Sequence, residues 1–259
     1  MAEGDTIARP ARRLHAATAG VEVARSRFRH PRVATADLAG QRIAGWGSHG
    51  KHLLMRTDDG LTLHSHLRMS GRWSVLRPGR RPPPRLDVRA LLVLADGRSL
   101  AGVALPVLQL VRTRDERLVV GHLGPDLLAD GFDPATAVVR LRAGSDTLVG
   151  ALLDQRRLAG LGTMWAGELC FLHHLSPWTP VAGVDPARLH ALVDDARARL
   201  STAVTDNPRQ VTTGDPRVPH WVHGRAGRPC LRCGTPVAFR PAARAAHGRE
   251  TWWCPGCQS

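Results

Sequence analysis

Residues 230–233 read Cys230-Leu231-Arg232-Cys233 and residues 254–257 read Cys254-Pro255-Gly256-Cys257, two CxxC knuckles twenty residues apart. Each knuckle brings two thiolates to one side of an ion. Together the four suit a closed tetrahedral zinc site, which shapes a fold and leaves no position open for catalysis. Two disulfides are the alternative, but Cys170 would then have no partner and nothing suggests export. A redox or metal-transfer role for the thiols is a third reading. Around the knuckles the chain is basic. From Asn207 onward there are eight arginines against two acids, Asp215 and Glu250, which suits a polyanion.

Working outward, Asn207–Arg228 is rich in Gly, Pro and Arg and reads as loop. Before it, Gly131–Leu200 has helical texture. Asp133-Pro134 and Asp185-Pro186 each place a capping acid ahead of a proline suited to the first helical turn. Apolar spacing continues through Thr147–Leu153, Trp165–Phe171 and Ala187–Leu200. Gly160-Leu161-Gly162-Thr163 precedes one of these helices. It is either a phosphate-binding helix start or a tight turn. Cys170 reads as a buried helical thiol.

Between Val33 and Val120 the texture is β. His52–Met55 and Leu61–Leu67 flank Asp59-Gly60, and Val88–Ala95 runs into Asp96-Gly97, two hairpin signals. His64 and His66 alternate along one strand and are expected to pack. Arg77–Arg85 is a basic, proline-rich loop, either a solvated linker or a phosphate contact. The first twenty residues predict a helix capped by Asp5 or Thr6, with Ile7, Leu14 and Ala17 on one face. Pro10 predicts that this helix begins late or bends.

Composition bounds the remaining classes. The 259 residues are 43% hydrophobic and 22% charged, ordinary globular material rather than a disordered tail. The absence of any run of about 18 apolar residues excludes a membrane-spanning helix. The N-terminus has no apolar signal core, so a cytoplasmic, nucleoid-associated protein is expected. The formal charge is +14, and of 36 Lys+Arg only Lys51 is lysine. Arginine bias makes a single arginine uninformative; the lone lysine is the informative exception.

Glu3-Gly4-Asp5-Thr6, Gly50-Lys51-His52-Leu53, Ser65-His66-Leu67-Arg68-Met69-Ser70-Gly71 and His122-Leu123-Gly124-Pro125-Asp126 follow one another along the chain. After them come Ala151-Leu152-Leu153-Asp154-Gln155, Ala159–Gly162 with Glu168, Trp221-Val222-His223-Gly224-Arg225, Gly248-Arg249 and Trp253–Gln258. In this order they resemble the formamidopyrimidine-DNA glycosylase/endonuclease VIII family over essentially the whole chain, most nearly its actinobacterial endonuclease VIII branch. The resemblance implies an α+β multidomain fold. A helix and β-sandwich form a catalytic domain over residues 1–130, a helix–two-turn–helix DNA-binding domain covers 131–223, and a zinc β-hairpin covers 224–259. It implies a base-excision-repair glycosylase with AP-lyase activity that removes oxidised bases, of the pyrimidine class, through a Schiff base on the N-terminal amine.

Carried over by position, Ala2, Glu3 and Lys51 are catalytic: the amine, the acid/base at the sugar ring oxygen, and the ammonium beside the lesion sugar and its phosphate. Arg68, Met69 and Ser70 form the loop that enters the base stack, with Met69 as wedge; core packing is the alternative for Met69. Thr163 and Arg249 contact phosphate. Cys230, Cys233, Cys254 and Cys257 hold one structural zinc ion. The implied partner is damaged DNA, bound by a monomer, with no membrane.

Two positions depart from the family pattern. Its nucleophile is an N-terminal proline exposed by loss of Met1, and here position 2 is Ala2. An α-amine of pKa about 7.7–8 leaves about a tenth unprotonated at pH 7, enough to attack a sugar carbon. A primary-amine imine must be protonated to draw electrons, whereas a proline iminium is always cationic, so a weaker lyase step is expected. If Met1 were retained, Lys51 would be the first alternative nucleophile. Thr163 stands where the family carries asparagine. Val103-Ala104-Leu105-Pro106 replaces the Arg-Arg-Phe-type loop of the formamidopyrimidine side. The competing reading is a catalytically weakened or inactive glycosylase fold that binds damaged or crosslinked DNA.

Overall fold

A computed structural model of the chain describes residues 3–80, 87–144, 146–206, 210–244 and 248–258. Ala2, residues 81–86 of the proline-rich loop and Asn207 lie outside the described residues. By its contacts the chain divides into two compact units, residues 6–122 and residues 3–5 with 123 onward.

In the first unit, Gly60 and Gly97 adopt positive φ, +74° and +84°, and turn the chain back on itself as their Asp-Gly pairs predict. They join β3 (His52–Thr57) to β4 (Leu61–His66) and β6 (Val88–Leu94) to β7 (Ser99–Val103). With β1 (Val23–Phe28), β2 (Ile43–His49), β5 (Arg72–Leu76) and β8 (Val107–Arg112), these strands make two antiparallel sheets, ordered β1-β6-β7-β5 and β2-β3-β4-β8. One hydrophobic core takes residues from both sheets, among them Leu92, Leu100, Leu53, Met55 and Leu108. Trp46 and Trp73 meet edge to face inside it, and their indoles are satisfied by Thr18 and Ser65 hydroxyls.

Three local expectations need correction. The first helix, α1 (Gly4–Thr18), starts at Gly4, ahead of both Asp5 and Thr6, and carries Pro10 inside it. Burial of Ile7, Ala11 and Leu14 in the sandwich core offsets the one main-chain bond that proline forfeits. Strand β1 was not legible because Arg25, Ser26 and Arg27 break its apolar run and a bulge follows Val23. The β texture ends at Arg112; α2 (Arg117–Val120) follows. Glu116 pins this segment to the sheet. It accepts bonds from Arg56 Nε and Nη2 at 2.6 and 2.8 Å and from Thr62 Oγ1 at 2.6 Å.

The second unit follows its caps. Asp133 accepts the Ala135 and Thr136 amides ahead of α3 (Pro134–Arg142), and Asp185 accepts the Ala187 and Arg188 amides ahead of α6 (Pro186–Thr205). Between them lie α4 (Leu148–Leu153) and α5 (Thr163–Leu172). Helix α5 is buried on all sides and runs through the centre of this core, which encloses Cys170 as expected. The C-terminal strands β9 (Ala238–Arg240) and β10 (Thr251–Trp253) pair antiparallel. A smaller core of Phe171, Val222, Cys230, Val237 and Cys254 ties them to α5. Among the described residues no helix is long and apolar enough to cross a membrane.

The face of β2-β3-β4-β8 turned away from the core carries a group of histidines. His52, His64 and His66 lie on it, with His122 edge-on to His52. Burial, then the neighbouring imidazoles, holds His52 down at about 3; burial holds His64 at about 4. Both are neutral in the folded protein at pH 7, whereas the unfolded chain takes up protons at these sites from about pH 6.5 downward. Stability therefore falls as pH drops from about 6.5 towards 4. Calorimetry should show the thermal midpoint falling between pH 7 and pH 5, and falling less in His64→Leu, which removes one of the histidines held neutral by burial. Equal pH dependence in the two proteins would contradict the buried neutral pair.

Candidate functional site

Glu3 is 1% exposed, and its surroundings explain why a carboxylate tolerates burial. Oε2 accepts the Gly162 amide and Oε1 the Met164 amide, each at 2.9 Å. These are donors that an α-helix leaves unsatisfied at its start, here that of α5. The glycine-rich turn is shaped to admit this carboxylate. A Cβ on Gly162 would lie 2.6 Å from Glu3 Cδ, so only glycine fits. Gly160 holds φ +115°, and its carbonyl accepts the Gly4 amide at 2.8 Å. Gln155 braces the turn by donating to the Leu161 carbonyl and accepting the Gly160 amide. Gly160–Thr163 makes a tight turn, and its Gly162 and Met164 amides are taken by the protein's own Glu3.

Two further acids of this unit are buried. Asp5 accepts from Trp165 Nε1 at 3.1 Å and from Gln210 Nε2 at 2.8 Å, so it ties α5 to the segment that follows α6. Glu168, fully buried in the middle of α5, accepts the amides of Trp221, Val222 and His223 at 2.9, 2.8 and 2.9 Å and the Thr212 hydroxyl. Sequence reading gave neither residue this role. The available signal was an acid inside an apolar helix, which must find donors. Thr163 is 3% exposed, and its Oγ1 has no hydrogen-bond partner among the described residues.

Lys51 and Gly50 (φ +53°) make the two-residue turn between His49 and His52, the last pair of the β2–β3 ladder. The loop from β4 to β5 spans residues 67–71 and is closed by a main-chain bond. The Gly71 amide bonds to the Leu67 carbonyl at 2.8 Å, and a Cβ on Gly71 would lie 2.6 Å from that oxygen. Buried Leu67 anchors the loop, Arg68 and Ser70 are exposed, and Met69 at the tip is 73% exposed. Met69 therefore lies outside the core. Arg249 is exposed just ahead of β10.

The four cysteines converge. Their Sγ atoms all lie within 4.8 Å of one another, with Cys230–Cys257 at 3.9 Å and Cys233–Cys254 at 3.4 Å. A tetrahedral ion with bonds of about 2.3 Å sets sulfurs about 3.8 Å apart, so the cluster can hold a metal ion. Arg240 and Trp178 buttress the hairpin, with the guanidinium 3.8 Å from the ring centroid.

Comparison with known proteins agrees over the whole chain. Models described as the formamidopyrimidine-DNA glycosylase N-terminal domain and the formamidopyrimidine-DNA glycosylase H2TH domain match residues 1–104 and 123–214. "Probable endonuclease 8 2" of Streptomyces coelicolor is 48% identical, covering 100% of this chain and 94% of that protein. The "DNA-(apurinic or apyrimidinic site) lyase Nei2" of Mycolicibacterium smegmatis is 38% identical, covering 100% and 99%. The crystal structure of Lactococcus lactis formamidopyrimidine-DNA glycosylase non-covalently bound to DNA containing an AP site superposes with a TM-score of 0.83 at 25% identity, covering 99% of each chain.

The clamp on Glu168 yields a stability test. Removing an acceptor of charge-assisted bonds strands buried amides, so Glu168→Ala should lose about 3 kcal/mol in urea unfolding. A loss below about 1 kcal/mol, no more than one ordinary hydrogen bond, would contradict the clamp.

Proposed function

Because the chain belongs to the formamidopyrimidine-DNA glycosylase family, we propose that it removes oxidised pyrimidines from DNA through a Schiff base on its own N-terminal amine. It is a DNA glycosylase with AP-lyase activity. The observation that carries the assignment of roles is the seating of Glu3 on the amides that open α5, which fixes a carboxylate one residue from the proposed nucleophile.

In this reading Met1 is removed and the lone pair of the Ala2 amine attacks C1′ of the lesion nucleotide. The base leaves with the glycosidic electrons and takes up the proton that the attacking nitrogen sheds, and Glu3 delivers a proton to the ring oxygen as the sugar opens to the protonated imine. The protonated imine acidifies C2′; loss of that proton expels the 3′ phosphate and cuts the strand. With alanine for proline, the imine keeps its charge only while protonated, and the strand-cutting step is the slower one. Lys51 supplies an ammonium to the sugar and its phosphate. Arg68, Met69 and Ser70 fill the stack when the lesion nucleotide leaves it, an apolar tip suiting that void. Thr163 and Arg249 hold phosphate.

Cys230, Cys233, Cys254 and Cys257 would hold one zinc ion, which cross-links the hairpin bearing Arg249 and takes no part in the chemistry. The working domains are residues 1–130, 131–223 and 224–259. The protein acts as a monomer on damaged DNA in the cytoplasm, at the nucleoid. The +14 charge makes binding fall steeply with salt.

Two measurements test this. On a panel of duplex and single-stranded oligonucleotides with defined lesions, oxidised pyrimidines should be released, and Glu3→Gln should slow release by about 100-fold or more. No release from any lesion would favour a non-catalytic binder of damaged DNA. Metal analysis should find one zinc per chain, and chelation should weaken DNA binding without altering the circular dichroism of the helical unit. Binding indifferent to chelation would overturn the zinc assignment.

A further inference from the structure

The sheet ordered β1-β6-β7-β5 has two edges, β1 and β5. A free edge offers a row of main-chain donors and acceptors to any extended chain, and proteins blunt it with charge, bulges or cover. Strand β1 is blunted: a bulge follows Val23, and Arg25 and Arg27 are exposed along it. Strand β5 is not. It pairs with β7 from Arg72 to Leu76 without a bulge, and its central residues Trp73, Ser74 and Val75 carry no charge. Among the described residues no main-chain bond reaches its other side.

Beside that edge runs a groove of about 760 Å³ between β5 and α1. Alternate side chains of a strand leave opposite faces, so a wall made of the consecutive residues Trp73, Ser74 and Val75 presents the edge itself. The other wall is one helical stripe, Pro10, Arg13, Leu14 and Ala17, at the spacing of a single helix face. Most of these side chains are apolar, and Val75 is 37% exposed. Trp73 Nε1 is already bonded to Ser65 Oγ, so the indole offers its ring alone. The charges around the groove are of one sign. Arg13 lines it, Arg72 and Arg77 flank the middle of β5, and all three are exposed. None of the three forms an ion pair, and no acid lines the groove, among the described residues.

We propose that the β5 edge is a docking site for a partner protein, which adds an acidic, extended segment to this sheet as a further strand. A strand edge presents donors and acceptors in alternation and so matches a peptide main chain, whereas a phosphate backbone brings acceptors only. Because side chains alternate, the segment places apolar residues against Trp73, Val75 and the α1 stripe. Its acids lie on the opposite face, which Arg72 shares with Ser74. A second copy of this chain is disfavoured there, because it would bring a formal charge of +14 and its own β5 arginines against the same arginines. The five residues of β5 set the length of the paired segment. The site stands independently of the chemistry proposed above.

The probe is a fluorescent peptide of alternating Glu and Val, added to the full chain and followed by anisotropy. It should bind saturably below about 1 mM and more weakly as salt rises, and a Lys-Val peptide should not bind. Val75→Glu and Arg13→Glu, both at exposed positions, should each weaken binding about tenfold with circular dichroism unchanged. Methylating one alternate set of peptide amides should abolish binding and methylating the other should not, since only one set faces the edge. Absence of saturable binding, retained binding in both methylated forms, or binding unchanged by both substitutions would overturn the proposal. So would a wild-type dimer in sedimentation that Val75→Glu separates, which assigns the edge to a second copy. Displacement of the peptide by single-stranded DNA that Arg13→Glu also ceases to bind would overturn it too, and assign the groove to nucleic acid.

Discussion

A single carboxylate on two amides organises the second unit. Glu3 occupies the donors that open α5, and several otherwise unrelated choices follow from that. Gly162 must lack a side chain because the carboxylate lies against it, Gly160 must take a positive φ, and Gln155 must brace the turn from the preceding segment. The same helix then uses Glu168 to gather three amides and a hydroxyl from the segment before the cysteine hairpin. Helix α5 is thus a rod with an anion at each station. Its buried apolar surface supplies stability, and the acids supply position.

Much of this architecture was legible. Asp133-Pro134 and Asp185-Pro186 marked two helix starts because capping acid and proline act through local chemistry alone, and the Asp-Gly turns marked two hairpins for the same reason. The cysteine spacing marked the closing module. The misreadings share a cause. Pro10 argued locally for a late helix and was overruled by a buried face that only the sandwich supplies. Strand β1, with arginine at two of its six positions, becomes a strand only because β6 is there to pair with it. The partner of the glycine-rich turn could not be read locally, because it is a residue some 160 positions away in sequence. Asp5, Glu168 and Gln210 were legible as residue types and invisible as partners, since their bonds are long-range.

The lone lysine gains a context. The other 35 basic side chains are arginines, whose planar fork binds phosphate bidentately. Lys51 instead occupies a two-residue turn whose rigidity comes from the strand ladder, beside imidazoles held neutral by burial. A compact ammonium needs such a setting to keep one position, and the neighbouring loop, with Met69 at its tip, is held by the same sheet.

The central claim is that Ala2 performs the covalent chemistry a proline performs elsewhere in the family. Trapping the enzyme on a damaged oligonucleotide with borohydride, followed by peptide mass mapping, tests it directly. The account predicts an adduct on a peptide that begins at Ala2, attached through its amine. An adduct on Lys51, or an intact Met1 ahead of Ala2 in the active protein, would contradict it.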